Sequence, residues 1–285
     1  MLRIAVQSKG RLYEETMTMF KEASIKVEEN KRTLLVRAKN FPVELLYLRD
    51  DDIPQVVAGG VADIGIVGEN EYVEKGEQAK IIKRLDFSKC RLSLAIPKSE
   101  EYQGPTWFEG KKIATSYPNI LRNYLNNVNV NAEIYEITGS VEVSPAIGVA
   151  DCIFDIVSSG GTLVSNNLKE VEVVMHSEAL MIGHPGLEAD PEKKAILDEL
   201  LFRYASYKNA EGKKYIILNI PNDKIEEAKK LLPGMKSPTV TPLLEDGWNS
   251  MQSVIAEDCF WERISQLKAI GAEGILVIPI EKMIL

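Results

Sequence analysis

The chain has 285 residues, 45% of them hydrophobic, enough for two or three modest domains that each bury a core of their own. Its formal net charge of −8 argues against a nucleic-acid partner, which would favour a basic face, so an anionic ligand would need cations gathered locally. No stretch approaches the ~18 uninterrupted apolar residues of a membrane helix, and the opening MLRIAVQSKGR is too short an apolar run for a signal peptide, so a soluble, cytoplasmic protein with no membrane partner is expected.

Leu2 to Gln7 reads as a short strand that breaks at SKGRL, and Tyr13 to Ala23 carries apolar residues at helical spacing, a β-loop-α start. Thr33 to Ala38 and Val43 to Leu48 read as strands, and RDDDIP then supplies carboxylates and a proline at the start of a helix from Ile53 to Gly59. Leu92 to Pro97 reads as a strand crossing out of a first lobe, GPTWFEGKK as a loop, and Lys112 to Ser116 as a strand leading through YPN to a helix from Ile120 to Asn126. Cys152 to Val157 is a strand; Ala179 to Ile182 returns the chain to the first lobe, where a helix from Pro191 to Tyr207 packs. GVAD occurs at Gly60 to Asp63 and again at Gly148 to Asp151, each time after a helix-like segment and before an apolar run, which points to two related α/β lobes with a cleft between them. Past a break at KNAEGKK the order changes to βαββαβ: Tyr215 to Ile220, Asp223 to Leu232, Thr239 to Leu243, Ser250 to Ala256, Cys259 to Ile270 and Gly274 to Ile280, the pattern of a ferredoxin-like module.

The densest chemistry lies in DIVSSGGTL, where a strand delivers Asp155 near its carboxyl end and opens into Ser158, Ser159, Gly160, Gly161 and Thr162. Glycines let backbone N–H groups approach an anion and hydroxyls add donors, while an ionised Asp155 suits the two hydroxyls of a ribose. The same segment also reads as an ordinary Gly-rich turn capped by Asp155. Lys9, Gly10 and Arg11 follow the first strand and Arg49 closes ELLYLR, so these cations stand at the carboxyl ends of strands, where open α/β sheets bind ligands. Glu69, after IGIVG, and Tyr117, in TSYPN, are further cleft candidates, Tyr117 to stack on a base or simply to pack, whereas Asp63 and Asp151 read as structural. Cys90, Cys152 and Cys259 are scattered, and His176 and His184 have no metal-ligand spacing, so structural zinc and a disulfide framework are disfavoured. With no triad or catalytic carboxylate pair in evidence, positioning and electrostatics are expected to carry the chemistry.

Taken together, the motifs resemble the ATP phosphoribosyltransferase family. Its signature is filled here by Glu142, Gly148, Ala150, Ile153, Asp155, Ser159, Gly160, Thr162 and Leu163, and the likeness runs on through KGRL, DIPQVVAGGVADIGIVGEN, TSYPN, KSPTVTPL and AIGAEGILVIPIEKM; Ser8 stands where the family often has proline. The resemblance implies two hinged periplasmic-binding-protein-like lobes, 1–92 with 180–210 and 93–179, followed by an ACT-like ferredoxin-like regulatory domain at 211–285, the long form of the family. It also implies Mg²⁺-dependent transfer of the phosphoribosyl group of phosphoribosyl pyrophosphate to N1 of ATP, inhibited by L-histidine and by AMP, in a homo-oligomer from dimer to hexamer. Asp155 and Ser158 to Thr162 would then hold the phosphoribosyl end with Glu142 beside them as a catalytic carboxylate; Lys9, Gly10, Arg11, Arg49, Glu69 and Tyr117 would face ATP and pyrophosphate; Ser237, Thr239 and Gly274 would contact histidine; and Mg²⁺ would come with the substrate phosphates. Two other readings compete: a solute-binding protein, which shares the two-lobed plan, and a catalytically silent regulatory subunit.

Overall fold

Leu2, Ile4, Ala5 and Val6 of β1 (Leu2–Gln7) have almost no exposed surface, as expected of a strand covered on both faces of a parallel sheet. The computed structural model describes residues 1–28, 33–258 and 260–285, so Cys259 lies outside the described residues. β1 pairs in parallel with β3 (Val43–Leu48) and β4 (Ile64–Gly68). β2 (Leu35–Arg37) flanks β3, and the antiparallel β11 (Ala179–Gly183) and β5 (Lys80–Arg84) complete a six-stranded sheet, order β2-β3-β1-β4-β11-β5. Helices α1 (Arg11–Glu22), α2 (Ile53–Ala58) and α3 (Glu69–Lys75) follow the carboxyl ends of β1, β3 and β4.

The second sheet holds five strands in the order β10-β6-β9-β7-β8: β6 is Cys90–Pro97, β7 Lys112–Thr115, β8 Glu133–Glu136, β9 Cys152–Val157 and β10 Leu168–Ser177. α4 (Pro118–Asn127) follows β7, and the short α5 (Gly161–Ser165) follows β9. The segment GPTWFEGKK carries a 3₁₀ turn at Pro105–Phe108. The sheets repeat one plan: β1 lies between parallel β3 and β4 with antiparallel β11 next, and β7 lies between parallel β8 and β9 with antiparallel β6 next. The GVAD aspartates do the same work in each. Asp63 takes the Arg3 N–H on its carboxylate at 2.7 Å and gives its own N–H to Arg3 O at 2.9 Å; Asp151 makes the same pair with Lys112, at 2.7 and 2.8 Å. Asp63 also binds Lys193 Nζ at 2.7 Å.

Contacts divide the chain at 198/199, inside α6 (Pro191–Ala210). The sequence placed this helix wholly with the first lobe. Its last turns instead group with the C-terminal unit, because Ser206 O accepts the Met283 N–H at 2.8 Å and Asn209 O accepts Lys213 Nζ at 2.8 Å. In that unit β12 (Lys213–Pro221), β13 (Thr239–Pro242), β14 (Trp248–Ala256) and β15 (Glu273–Pro279) form an antiparallel sheet ordered β13-β14-β12-β15. Alternate residues Ile216, Leu218, Ile220 and Met251 face α7 (Ile225–Leu231) and α8 (Phe260–Ala269), where Ala228 and Leu267 close the core. This is the ferredoxin-like arrangement. Among the described residues no helix is long and apolar enough to cross a membrane.

The two sheets of residues 1–198 meet through polar groups that are nearly all buried. Glu74 on α3 caps α4, accepting the Asn119 and Ile120 N–H groups at 2.9 Å each, which sets a carboxylate on the positive end of that helix. Tyr117 donates its hydroxyl to Glu71 Oε1 at 2.9 Å and accepts from Asn70 Nδ2 at 3.1 Å, while Ser177 donates to Asn70 Oδ1 at 2.9 Å. Burial, and then the neighbouring Asp50, push the Glu71 carboxyl from 4.5 up to about 7 against the opposing Tyr117 hydrogen bond.

Asp63→Ala removes a half-buried ion pair and a strand-start hydrogen bond together, so urea unfolding is expected to show a loss of about 1–3 kcal/mol, with a smaller loss for Asp151→Ala at its more exposed site. Because the fold favours protonated Glu71, the stability this group brings is complete below about pH 4.5 and is lost as the pH rises through about 7. Glu71→Gln mimics the protonated form: thermal melts should show the variant more stable than the parent at pH 8, on the order of 2 kcal/mol, with the gap closing by pH 5.

Candidate active site

Strand alternation decides which side chains share a face. Ser93 on β6 pairs with Asp155 on β9 and Arg91 with Val157, so Arg91, Ser93 and Asp155 stand on one side of the second sheet, opposite the apolar face of Leu92, Leu94 and Phe154. Asp155 Oδ1 accepts the Ile156 N–H at 2.8 Å. Burial pushes its carboxyl from 3.8 up to about 6; the Ile156 hydrogen bond acts against this and the neighbouring Glu142 adds to it. Glu142 sits half-buried on a 3₁₀ turn, Val141–Val143. Glu142 is thus near enough to Asp155 for its charge to be felt there.

Beyond Val157 the backbone opens into Ser158, Ser159, Gly160, Gly161 and Thr162, all exposed except the half-buried Gly160. Gly160 has φ +82°, a left-handed conformation that a side chain would strain, and it turns the loop directly into α5. The first N–H groups of α5 have no acceptor within their own helix, as at any helix start. The loop so presents hydroxyls and backbone donors to solvent.

From the other sheet, β1 ends at Gln7 and releases Ser8, Lys9 and Gly10, the last with φ +92°, before α1 begins at Arg11. Arg11 reaches across: its Nη1 donates to Ser158 Oγ at 2.9 Å and its Nε pairs with Glu15 at 3.4 Å. Lys9 is exposed. Arg49 is also exposed, with its guanidinium turned back onto Asp51 at 3.1 Å.

Two predicted contacts have their polar groups partnered within the chain. Glu69 is bound through both oxygens by Arg84, which also meets Glu178, so it belongs to an ion triad where the chain crosses between the sheets. Tyr117 is 6% exposed in the core with its hydroxyl taken by Glu71 and Asn70, so it offers no ring face to a base; packing won because TSYPN turns straight into α4. Asn70, Glu71, Glu74 and Arg91 were not singled out from the sequence. ENEYVEK is dominated by polar residues, and nothing local reveals that three of them are buried.

In the C-terminal unit Ser237 and Thr239 are exposed at β13 and Gly274, φ +55°, opens β15. β13 and β15 are opposite edges of the sheet, with β14 and β12 between them, so these residues do not converge within one chain. His176 is exposed, and His184 Nδ1 accepts the Gly186 N–H at 3.1 Å.

A family model for ATP phosphoribosyltransferase matches residues 49–205, and one for the HisG C-terminal domain matches 210–282. ATP phosphoribosyltransferases of Parabacteroides distasonis and Bacteroides thetaiotaomicron are 68% and 66% identical over 284 residues, each alignment covering 100% of both chains. Among solved structures, the ATP phosphoribosyl transferase (HisG:HisZ) complex from Thermotoga maritima aligns with TM-score 0.61 and 29% identity over 72% of this chain and 98% of that one. The substrate-binding protein of an amino acid ABC transporter aligns with TM-score 0.50 at 10% identity, over 73% of this chain and 93% of that one, a likeness of fold alone. With Asp155 and the glycine loop together at one strand end and relatives matched from end to end, the chain belongs to the ATP phosphoribosyltransferase family, enzymes of the first step of histidine biosynthesis.

Proposed function

We propose that Asp155 and the loop Ser158 to Thr162 hold the phosphoribosyl end of phosphoribosyl pyrophosphate, and that N1 of ATP attacks C1′ across the cleft. The observation that carries this reading is the bond from Arg11 to Ser158 Oγ, which sets a guanidinium of the first lobe against the loop of the second. In the attack the N1–C1′ bond forms as the C1′–oxygen bond breaks, and its electron pair leaves with pyrophosphate. Asp155 receives the ribose hydroxyls, with Glu142 beside it, and the two carboxylates favour the positive charge that develops at C1′. The loop N–H groups and hydroxyls hold the 5′-phosphate. Lys9, Gly10, Arg11 and Arg49 face the phosphates of ATP and the leaving pyrophosphate, while Glu69 and Tyr117 shape that side of the cleft through their partners Arg84 and Glu71.

Among the described residues no group of three or more His, Cys, Asp or Glu side chains could hold a metal ion. In this reading Mg²⁺ arrives chiefly on the substrate phosphates, as it usually does. When bound, the ion supplies charge neutralisation for the leaving group.

Residues 211–285 of the C-terminal unit are the histidine-sensing domain in this reading, with Ser237, Thr239 and Gly274 as contacts. The match of its residues 210–282 to the HisG C-terminal domain supports it, as does the Thermotoga maritima neighbour, which spans only 72% of this chain and is found with HisZ. Since Thr239 and Gly274 stand on opposite sheet edges, one histidine meets both only where edges of two copies adjoin, which a homo-oligomer from dimer to hexamer would provide. Inhibition by histidine, and by AMP at the nucleotide site, then acts by favouring one arrangement of copies. The lobes are assigned as 1–92 with 180–198 and 93–179, in a cytoplasmic enzyme.

Mixing the protein with ATP, phosphoribosyl pyrophosphate and Mg²⁺ in the presence of pyrophosphatase should give growing absorbance near the adenine band. Asp155→Ala should lower kcat/KM at least about a hundredfold, and full activity in that variant would remove Asp155 from the site. Free histidine added to the same assay should slow it; an unchanged rate would end the sensor reading. Only ionised Asp155 is acceptor-only toward both ribose hydroxyls, so kcat/KM for phosphoribosyl pyrophosphate should fall as the pH drops through about 6, and Asp155→Asn should flatten that limb.

A further inference from the structure

Arg91 of β6 stands on the same face of the second sheet as Ser93 and Asp155. On the other side of β6, β10 is interrupted by bulges between Glu170 and Glu172 and between Val173 and Met175, irregularities of the kind that re-aim side chains. Glu170 meets Arg91 as a fork: Nε donates to Oε1 at 2.5 Å and Nη2 to Oε2 at 2.6 Å, while Ser93 Oγ adds a third bond to Oε1 at 2.6 Å. With one edge of the planar guanidinium fixed, the direction of Nη1 is fixed as well. Nη1 donates to Ser158 O at 3.0 Å.

That carbonyl belongs to the peptide joining Ser158 to Ser159. In a trans peptide the C=O and the following N–H point in opposite directions, so anchoring Ser158 O on Arg91 also fixes the Ser159 N–H, directed away from Arg91. Ser158 is thus held on its carbonyl by Arg91 and on its hydroxyl by Arg11 of the other lobe. An ion pair at the surface is ordinarily worth little in stability. This one ends on the first peptide of the glycine loop, where orientation matters more than strength.

We propose that Arg91, held by Glu170 and Ser93, is a positioning residue that presets the glycine loop for the 5′-phosphate of phosphoribosyl pyrophosphate, an inference that rests on the reading of that loop as the phosphoribosyl site. Lysine cannot replace it, because an ammonium has no planar fork to be held at two points while a third N–H is aimed. Glutamine at 170 turns an amide donor toward the guanidinium and opens the same fork.

The test uses the full-length protein with Arg91→Lys, Glu170→Gln and Ser93→Ala. Calorimetric titration with Mg²⁺ and phosphoribosyl pyrophosphate in the absence of ATP, KM for each substrate, kcat and thermal midpoints are measured side by side with Asp155→Asn and Ser159→Ala. Arg91→Lys and Glu170→Gln should weaken phosphoribosyl pyrophosphate binding on the order of tenfold, with KM for ATP and kcat within about twofold and the midpoint nearly unchanged; Ser93→Ala should move the same way by less. If Arg91→Lys does not fold, Glu170→Gln and Ser93→Ala carry the same readout. Binding within about twofold of the parent, or a joint shift of kcat and both KM values with a lowered midpoint, overturns the proposal. If Asp155→Asn and Ser159→Ala also leave binding intact, the loop itself has been misassigned; if they weaken it while the Arg91 and Glu170 variants do not, the positioning role alone fails.

Discussion

The site depends first on the buried polar seam between the two sheets of residues 1–198. Asn70, Glu71 and Glu74 of α3 meet Tyr117, Asn119 and Ile120 at the start of α4, and Ser177 completes the set. An apolar contact of the same size would tolerate sliding, since hydrophobic attraction has no direction. Hydrogen bonds between buried groups do not, because a lost partner leaves a desolvated donor or acceptor at a cost of about 1–3 kcal/mol. Such a seam favours a small number of discrete arrangements, and one of them brings Arg11 to the loop at Ser158.

The seam joins two versions of one plan. In each sheet an aspartate ahead of a central strand ties both its N–H and its carboxylate to the start of the neighbouring parallel strand, Asp63 to Arg3 and Asp151 to Lys112. That fixes strand register at the amino ends and leaves the carboxyl ends free to carry loops. The loops then diverge. After β9 comes a hydroxyl- and glycine-rich turn with little side-chain bulk; after β1 comes a turn bearing Lys9 and Arg11. One scaffold used twice thus carries a hydroxyl- and glycine-rich loop on one wall and cations on the other.

An acidic protein that handles polyphosphates must place its charges carefully. Burial raises the Asp155 carboxyl toward 6 at its strand end and that of Glu71 toward 7 in the seam, so each is ionised at a cost that hydroxyl or positive partners can offset. Most of the cations are committed as well: Arg84 to Glu69 and Glu178, Arg91 to Glu170, Arg11 to Ser158 and Glu15. Paired guanidiniums hold backbone and side chains in place while their remaining N–H groups stay directed at a chosen point.

Much of this was legible in the sequence where the determinants are local. The apolar runs of β1, β3 and β9 gave strands at their observed limits, GVAD marked the repeat, and DIVSSGGTL identified its loop because glycine, hydroxyl and carboxylate coincide over a few residues. β5, β8 and β10 were missed, since exposed edge strands such as KIIKR and EIYE are patterned by charge and lack an apolar run. What the sequence alone determined is therefore the inventory: the lobes, the loop and the residue types at strand ends. Tertiary structure alone decided that Glu69 is spent on Arg84, that Tyr117 is packed, that Glu71 and Glu74 are buried, and that Arg91 reaches Ser158. Each of those depends on partners far apart in the chain, and burial of a polar group is a property of what folds over it, which no local pattern records.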